Sequence, residues 1–431
     1  MQQQSDTYSL KERALVTVLS SFGSYVEWYD YFVAATAAAL IWPTVFFSQF
    51  SALATGISIA SFGVAYFTRP VGAYIFGHMG DRLGRRSTLV WTLLTVGVAM
   101  LGITLLPSSN VIGMWGPILL FSFRAVQGVG FGGEYGGASS WVLEVNAKSR
   151  WRGTWTSSVM ATIGLGGGTG ALLYLFLEKV YSRAVLLNYG WRIPFALGVV
   201  LLFSAALIRY LAQESDVFTK LQKLGKTLKT PASTAIRKHI GLMMLIGLSW
   251  VFIFWINPGV IQLFATPYLA KHGVPPTFTT YVLAVSDFVI PFATLLGGFI
   301  SDLLGRRKAV FISALLTLLF AYPYLVMLES ANLAYILLAE VVINVFVFIG
   351  EGSFTPYVIE LFRTEYRYSG GGLSYQFAAL YAGILFTFAL PTILLSSYET
   401  TYILAIAMIL PLVTAFTVFF LKETSKSDIS G

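Results

Sequence analysis

The sequence predicts an all-α integral membrane protein: twelve transmembrane helices in two six-helix bundles, with both termini cytoplasmic. Three observations predict it. The 431 residues are 56% hydrophobic and only 11% charged, where a soluble domain carries about 25% charge, and the mean hydropathy is +0.73. Apolar runs of about 20 residues, the length that crosses a bilayer, recur twelve times between charged or turn-rich breaks. A ten-residue segment, Gly77-His-Met-Gly-Asp81-Arg82-Leu-Gly84-Arg85-Arg86, has an echo in Gly298-Phe-Ile-Ser-Asp302-Leu-Leu-Gly305-Arg306-Arg307, close to half a chain further on. A charged hairpin repeated once per half of an apolar chain points to duplication.

The first six runs, at 15–47, 53–77, 87–106, 113–138, 154–177 and 190–212, form an N-terminal unit, residues 1–212. Lys11, Glu12 and Arg13 precede them without a cleavable-signal pattern, so the first helix is expected to act as its own insertion signal. Residues 213–239 break the rhythm. Lys220, Lys223, Lys226 and Lys229 recur every third residue, as in an amphipathic linker lying on anionic headgroups or meeting a regulatory partner. The remaining runs, at 240–266, 277–300, 308–328, 333–357, 371–395 and 399–421, form a C-terminal unit, residues 240–431. Glu134 and Glu351, Arg150 and Arg367, and Gly153 and Gly370 share one spacing, so the repeat extends beyond the hairpins. Two parallel repeats joined by a linker is a transporter architecture.

Charge fixes the expected orientation. With both termini on one side, 22 of the 28 Lys and Arg fall on that side, and Lys179, Arg183, Arg192 and Lys271 on the other. Positive charge marks the cytoplasmic face of a plasma membrane, so the net +8 reads as topology and not as nucleic-acid binding. The chain has no cysteine, and its three histidines are scattered; no metal site and no cofactor is expected.

Charges left inside helices are costly and mark function. They are Glu27, Asp30, Arg69, Arg124, Glu134, Asp287, Glu340 and Glu351. Glu27 and Asp30 share a face of the first helix. An arginine beside an aspartate holds it ionised, and separation lets the acid take a proton. Asp30, Glu27 and Arg124 are therefore the candidate proton-coupling set, with either acid as the carrier; a static ion pair is the plainer alternative. Arg69 is a candidate ligand for a substrate carboxylate or a partner of Glu27, Asp30 or Glu134. Gln127 lies one turn after Arg124. Trp255-Ile-Asn257-Pro258-Gly259 interrupts the seventh run, and such breaks survive at membrane depth where they face protein or a cavity. Trp255, Asn257, Gln262, Asp287, Glu340, Asn344, Tyr375 and Gln376 complete the candidate substrate contacts.

Gly77, Gly80 and Gly84 allow a tight turn and close helix contact, and Asp81 can accept hydrogen bonds from a helix N-terminus. The echo has Leu303 where the first copy has Arg82, which predicts a weaker hold by the second copy. Gly128-Val-Gly130-Phe-Gly-Gly133 fits G-x-G-x-x-G, but that fingerprint binds dinucleotides only between a strand and a helix. Inside an apolar helix the glycines serve close packing.

The segment at 77–86 resembles the signature loop of the major facilitator superfamily. Other segments are similar to its metabolite:proton symporters, the shikimate, α-ketoglutarate, citrate and proline/betaine carriers. These are Glu27-Trp-Tyr-Asp30-Tyr-Phe, Arg69-Pro-Val-Gly, Arg124-Ala-Val-Gln127-Gly-Val-Gly-Phe-Gly-Gly-Glu134-Tyr-Gly-Gly-Ala, Gly190-Trp-Arg-Ile-Pro-Phe and Glu360-Leu-Phe-Arg…Arg367-Tyr-Ser-Gly-Gly. The resemblance implies the major facilitator fold and alternating access. It implies a latch at the signature loop and ion pairs forming an inner gate. The residues concerned are Gly77, Asp81, Arg82, Gly84, Arg85, Arg86, Glu134, Glu144, Arg150, Asp302, Arg306, Arg307, Glu351, Glu360 and Arg367. It also implies a monomer whose partners are protons, lipid and a small metabolite, an organic anion or zwitterion, with sugar and phosphate still open. A uniporter or drug–proton exporter would share the fold. An enzyme would need a catalytic set such as H-E-x-x-H or G-x-S-x-G, which the sequence lacks, and a metabolite sensor would need an output domain.

Overall fold

A computed structural model describes residues 8–211, 219, 222, 223, 227–330 and 332–429. Every regular element among the described residues is a helix. The long ones are α1 Leu10–Leu40, α2 Ala54–Leu83, α3 Arg85–Leu105, α4 Trp115–Val145, α5 Arg152–Val180, α6 Arg192–Leu211 and α7 Pro231–Phe254. They continue with α8 Pro276–Asp287, α9 Ile290–Leu304, α10 Arg306–Glu329, α11 Leu333–Glu360, α12 Arg367–Ile384 and α13 Glu399–Thr417.

Local chemistry sets several boundaries. Ser9 and Glu12 form a reciprocal capping box at the start of α1. Asn332 accepts from the Ala334 and Tyr335 amides to start α11. Gly84 (φ 118°) and Gly305 (φ 98°) turn the chain sharply between α2 and α3 and between α9 and α10. Those angles suit glycine, which is why the repeated hairpin keeps one at that place in both copies.

The expected runs differ from the helices in particular ways. Apolar composition ends the fourth run at 138, but α4 continues to Val145, and Glu144 in the added stretch has a buried arginine partner in Arg85. The first run breaks after Leu40, and a short helix, Trp42–Val45, restarts with Pro43 in its first turn. The Pro258 interruption is not unwound. The chain there takes the wider π-helical turn over Trp255–Phe264 and runs on as Ala265–Lys271. The linker positions Lys220 and Lys226 lie outside the described residues. The described end of the segment 213–239 is already helical from Pro231 and bends at His239.

Helix pairing repeats along the chain. α2 and α3 pack on α4, α3 on α6, and α1 on α5. After the linker, α9 and α10 pack on α11, α10 on α13, and α7 on α12. Across the halves, α2 packs on α12, and α5 on α8 and α9. Glycines bring these axes close. A Cβ at Gly72, Gly128 or Gly132 would overlap a carbonyl of the facing helix in the α2–α4 pair, as would one at Gly297 or Gly352 in the α9–α11 pair. The G-x-G-x-x-G segment is therefore part of a helix-packing surface.

Nine stretches of the described residues are long and apolar enough to cross a membrane. Outside that set stand α1, α2 and α4, the three helices that carry Glu27, Asp30, Arg69, Arg124 and Glu134. These three helices thus bring five buried charged side chains to the first half.

Gly352→Ala should cost about 1–3 kcal/mol, because the new methyl meets the Thr294 backbone in a tightly packed pair. Gly241→Ala, with nothing within 4 Å of the added carbon, should be neutral or stabilising through helix propensity. Thermal unfolding of the purified variants checks both; equal melting temperatures would refute the packing account.

Candidate functional site

The centre is built from α1, α2 and α4. Arg124 and Gln127, three residues apart, share a face of α4. Arg124 Nη1 donates to Gln127 Oε1 at 2.7 Å, and Gln127 Nε2 donates to Asp30 Oδ2 at 2.8 Å. All three side chains are buried. The expected pairing of Arg124 with Asp30 is thus indirect: Gln127 stands between them as a bridge and not as a mere cavity wall. Asp30 Oδ1 and Arg124 Nε and Nη2 have no hydrogen-bond partner. Glu27, also buried, makes no ion pair within 4 Å among the described residues.

Arg69 does not pair with Glu27, Asp30 or Glu134. Its guanidinium lies over the rings of Tyr66 (4.9 Å), Phe131 (5.1 Å) and Tyr31 (5.7 Å), a cation–π arrangement. Its Nε and Nη1 have no partner. The Tyr31 and Tyr66 hydroxyls hydrogen-bond to each other. Neither tyrosine was singled out by sequence, where an aromatic in a helix reads as packing.

In the second half Asn257 Nδ2 donates to Asn344 Oδ1 at 2.9 Å, and Tyr324 donates to Glu340 at 2.9 Å. Trp255 stacks on Phe386. Asp287 is buried with Oδ1 unpartnered, and its carboxylate abuts Gly167 of α5. Tyr375 stacks on Tyr135 at 4.1 Å between centroids, and Gln376 Nε2 donates to the Gly132 carbonyl at 3.3 Å. Both contacts join α12 to α4 across the halves. Gln262 lies apart, in a separate small cavity with Thr36, Thr266 and Thr280.

Glu351 and Glu134 are not in the expected ion-pair cluster near the helix ends. Glu351 accepts from Trp250 Nε1 at 2.7 Å and lines a central cavity of about 20 Å³ with Trp28, Tyr31, Asn257 and Tyr375, room for one water. Glu134 takes a bidentate contact from Arg209 (2.5 and 2.8 Å) within the first half. Arg209, counted with the cytoplasmic charges on sequence, is buried at the end of α6. Its place in the last turn of an apolar run hid it.

The two hairpins close one end of the molecule. Asp81 accepts from the Tyr368 amide (3.2 Å), the Ser369 amide (2.8 Å) and the Ser369 hydroxyl (2.6 Å). Asp302 accepts from the Gly153 amide (2.9 Å), the Thr154 amide (2.8 Å) and the Thr154 hydroxyl (2.8 Å). Each aspartate caps a helix of the opposite half, α12 or α5. Neither helix has a side-chain cap from its own N-cap residue, Tyr366 or Trp151. Arg85 pairs with Asp81 (3.0 Å) and Glu144 (3.2 Å), and Arg367 reaches Glu144 at 3.5 Å. Arg306 pairs with Asp302 (2.7 Å) and Glu360 (2.9 Å), and Arg152 reaches Glu360 at 2.8 Å. The counterpart of Arg367 is therefore Arg152, not Arg150. Arg150 is exposed and stacks on Trp151; the sequence alignment of the halves was two residues out of register here. Gly77 and Gly80 lie against Ser369 and Tyr368 of α12. Arg86 and Arg307 lie over Tyr210 and Phe419.

The chain after α13 returns to the same end. Arg152 Nη2 donates to the Thr424 carbonyl (2.9 Å), Arg367 Nη2 to the Ile429 carbonyl (3.0 Å), and Thr424 Oγ1 to Glu360 (2.6 Å). Glu423 accepts from the Arg306 and Arg307 amides that start α10. Its burial disfavours the ionised form, but the Ser425, Arg306 and Arg307 amides outweigh that and hold the carboxyl below its ordinary value. At the other end of α2 a cleft of about 430 Å³ stays open between the halves, lined by Thr55, Ala60, Tyr268, Thr387 and the Lys271–Glu399 pair.

Arg82 and Leu303 are both exposed, so the difference between the hairpin copies does not reach the aspartate contacts. Asp81→Ala and Asp302→Ala should each cost more than about 0.5–2 kcal/mol of local stability, the worth of a helix cap, because each also takes one carboxylate from a buried arginine. Hydrogen exchange should quicken at the start of α12 in the first variant and of α5 in the second, by similar factors. A much smaller change for Asp302→Ala would restore the asymmetry expected from sequence.

Residues 28–380 match the sequence profile of the Major Facilitator Superfamily. The inner membrane metabolite transport protein YhjE of Escherichia coli K12 is 34% identical over 86% of each chain. The shikimate transporter of the same organism is 33% identical over 96% of each. The citrate-proton symporter of Klebsiella pneumoniae is 28% identical over 84% of this chain and 81% of its own. Among solved structures, the proton:xylose symporter XylE superposes with a TM-score of 0.76 over 98% of each chain at 16% identity, a likeness of fold. These relatives are transporters and not enzymes, and the chain belongs to the Major Facilitator Superfamily.

Proposed function

We propose that the chain is a proton-coupled symporter of a small metabolite in the plasma membrane. Twelve helices cross the membrane as two six-helix units, residues 1–212 and 240–431, with both termini cytoplasmic. The protein works as a monomer by rocking the units about the centre, so that the hairpin end and the cleft end open in turn.

The observation that carries the reading is the Asp30–Gln127–Arg124 chain. A buried carboxylate is tolerated when ionised only with compensating charge or hydrogen bonds. Here the compensation comes from Arg124 through a single rotatable amide. A turn of Gln127, or a ligand taking Arg124, removes it and leaves Asp30 to bind a proton. The proton thus enters with the metabolite and leaves when the Arg124 link re-forms. Glu27, without an ion-pair partner and on the same face of α1, is the second candidate carrier. Relatives named as a citrate-proton symporter and a proton:xylose symporter support proton coupling.

Arg69, Arg124, Gln127, Trp255, Asn257 and Tyr375 are the proposed substrate contacts nearest this centre. Gln262, Asp287, Glu340, Asn344 and Gln376 stand around it. The signature hairpins and their arginine–carboxylate partners are the proposed inner gate.

Asp30→Asn should abolish proton-driven accumulation in proteoliposomes yet spare part of solute counterflow, which needs no net proton movement. Labelled shikimate and citrate are the first solutes to try, with internal pH followed by dye. Full uphill uptake by Asp30→Asn at clamped pH would remove Asp30 from the coupling route. Flux of a solute with no dependence on the proton gradient would make the protein a uniporter.

A further inference from the structure

We propose that the central cavity takes a zwitterion, with its ammonium group held by Glu351 among aromatic rings and its carboxylate held by Arg69. The proposal rests on the transport reading above and names the substrate class of that site.

Glu351 is 1% exposed. One oxygen accepts from Trp250; the other, Oε1, has no hydrogen-bond partner. No basic side chain lies within ion-pair distance of it among the described residues. A buried acid with an unsatisfied oxygen is unfavourable, so the site is incomplete until a proton or a cationic group arrives. The rest of the wall favours the cationic group. Five rings line the cavity: Trp28, Tyr31, Phe254, Phe348 and Tyr375. The face of an aromatic ring is electron-rich and attracts ammonium groups, alkylated ones above all, since these shed water readily.

The opposite need stands one ring away. Arg69 lies 5.7 Å from the Tyr31 ring, and Tyr31 is a wall of the cavity. Arg69 has two unpartnered buried nitrogens and no carboxylate within ion-pair distance among the described residues. An anion would satisfy Arg69 and leave Glu351 bare, a cation the reverse, and a neutral sugar neither. A zwitterion satisfies both. Glu351 is on α11 and Arg69 on α2, so such a ligand also bridges the halves. At about 20 Å³ the cavity is contracted, and the halves must part at the cleft end to admit the ligand.

Binding to purified protein, by calorimetry and thermal shift, tests this without requiring transport. The probes are glycine betaine and proline (zwitterions), shikimate (anion), choline (cation) and xylose (neutral). A zwitterion should bind at least about tenfold more tightly than any other probe, equivalent to about 1.4 kcal/mol. Glu351→Gln should erase that preference while retaining whatever shikimate affinity exists. Arg69→Met should weaken the zwitterions and leave choline as it was. The wild-type ranking stands by itself should a variant fail to fold. Tighter binding of shikimate or xylose than of both zwitterions overturns the proposal. So does unchanged zwitterion affinity in Glu351→Gln with loss of proton uptake, which makes Glu351 a proton carrier. Zwitterion binding without flux in proteoliposomes would instead sink the transport reading and leave the assignment of the cavity intact.

Discussion

The structure depends on an exchange of helix caps. α5 and α12 begin at the hairpin end without side-chain caps of their own, and each takes its cap from an aspartate of the other half. The first amides of a helix have no intrahelical acceptor, and the helix dipole adds a positive field there. Asp81 and Asp302 meet both needs at once. Because the caps come from across the interface, two helix ends are complete only while the halves touch at this end. The same aspartates anchor Arg85 and Arg306, which in turn hold Glu144 and Glu360. Parting the hairpins would therefore expose amides, arginines and carboxylates together, so the end is one connected element.

That element is tied to the centre by two helices. α12 carries Arg367, Tyr368 and Ser369 at the sealed end and Tyr375 and Gln376 at mid-height. Tyr368 donates to the Gly133 carbonyl and Gln376 to that of Gly132, both on α4. α4 runs from Arg124 and Gln127 at the centre to Glu144 in the hairpin network. A shift of α12 against α4 thus alters the Asp81 cap and the Tyr135–Tyr375 stack together. The packing between them is close, since a Cβ at Gly136 or Gly137 would meet Tyr368. Such a surface can slide between discrete positions but cannot bend through intermediate ones.

The sequence carried much of this. Composition and the spacing of apolar runs revealed the helices, and the repeated hairpin revealed the duplication together with the aspartates that cap across it. Intramembrane charge marked Asp30, Arg69 and Arg124. What stayed hidden depended on partners distant in sequence. Arg209 sits in the last turn of an apolar helix, where only its contact with Glu134 separates a buried arginine from a surface one. Arg150 and Arg152 both lie in one short turn, and only the fold reveals which is buried. Glu351 followed the repeat spacing of Glu134, yet the two diverge: Glu134 has Arg209 beside it, whereas Glu351 faces rings. The tail after α13 joins the sealed end through the Glu423 carboxylate and the Thr424 hydroxyl and through the backbone carbonyls of Thr424 and Ile429, which no side-chain pattern announces.

The two ends of the molecule are unequal in what opening them costs. At the cleft end the Lys271–Glu399 pair lies within the second half, so separating the halves there leaves it intact. At the hairpin end opening removes two caps and the links that Arg152 and Arg367 make across the halves, all with buried carboxylates. Separating one buried charge from its partner costs about 3–5 kcal/mol unless water replaces it. The tail adds one more link across the halves, from Arg152 to the Thr424 carbonyl, while the Ile429 carbonyl holds Arg367 within the second half. The hairpin end is therefore the more extensively bonded junction between the halves. The centre holds buried polar atoms without hydrogen-bond partners: Asp30 Oδ1, Glu351 Oε1, and nitrogens of Arg69 and Arg124. Unpartnered polar atoms at the centre thus contrast with the hairpin end, where Asp81, Asp302, Glu144 and Glu360 all have arginine partners.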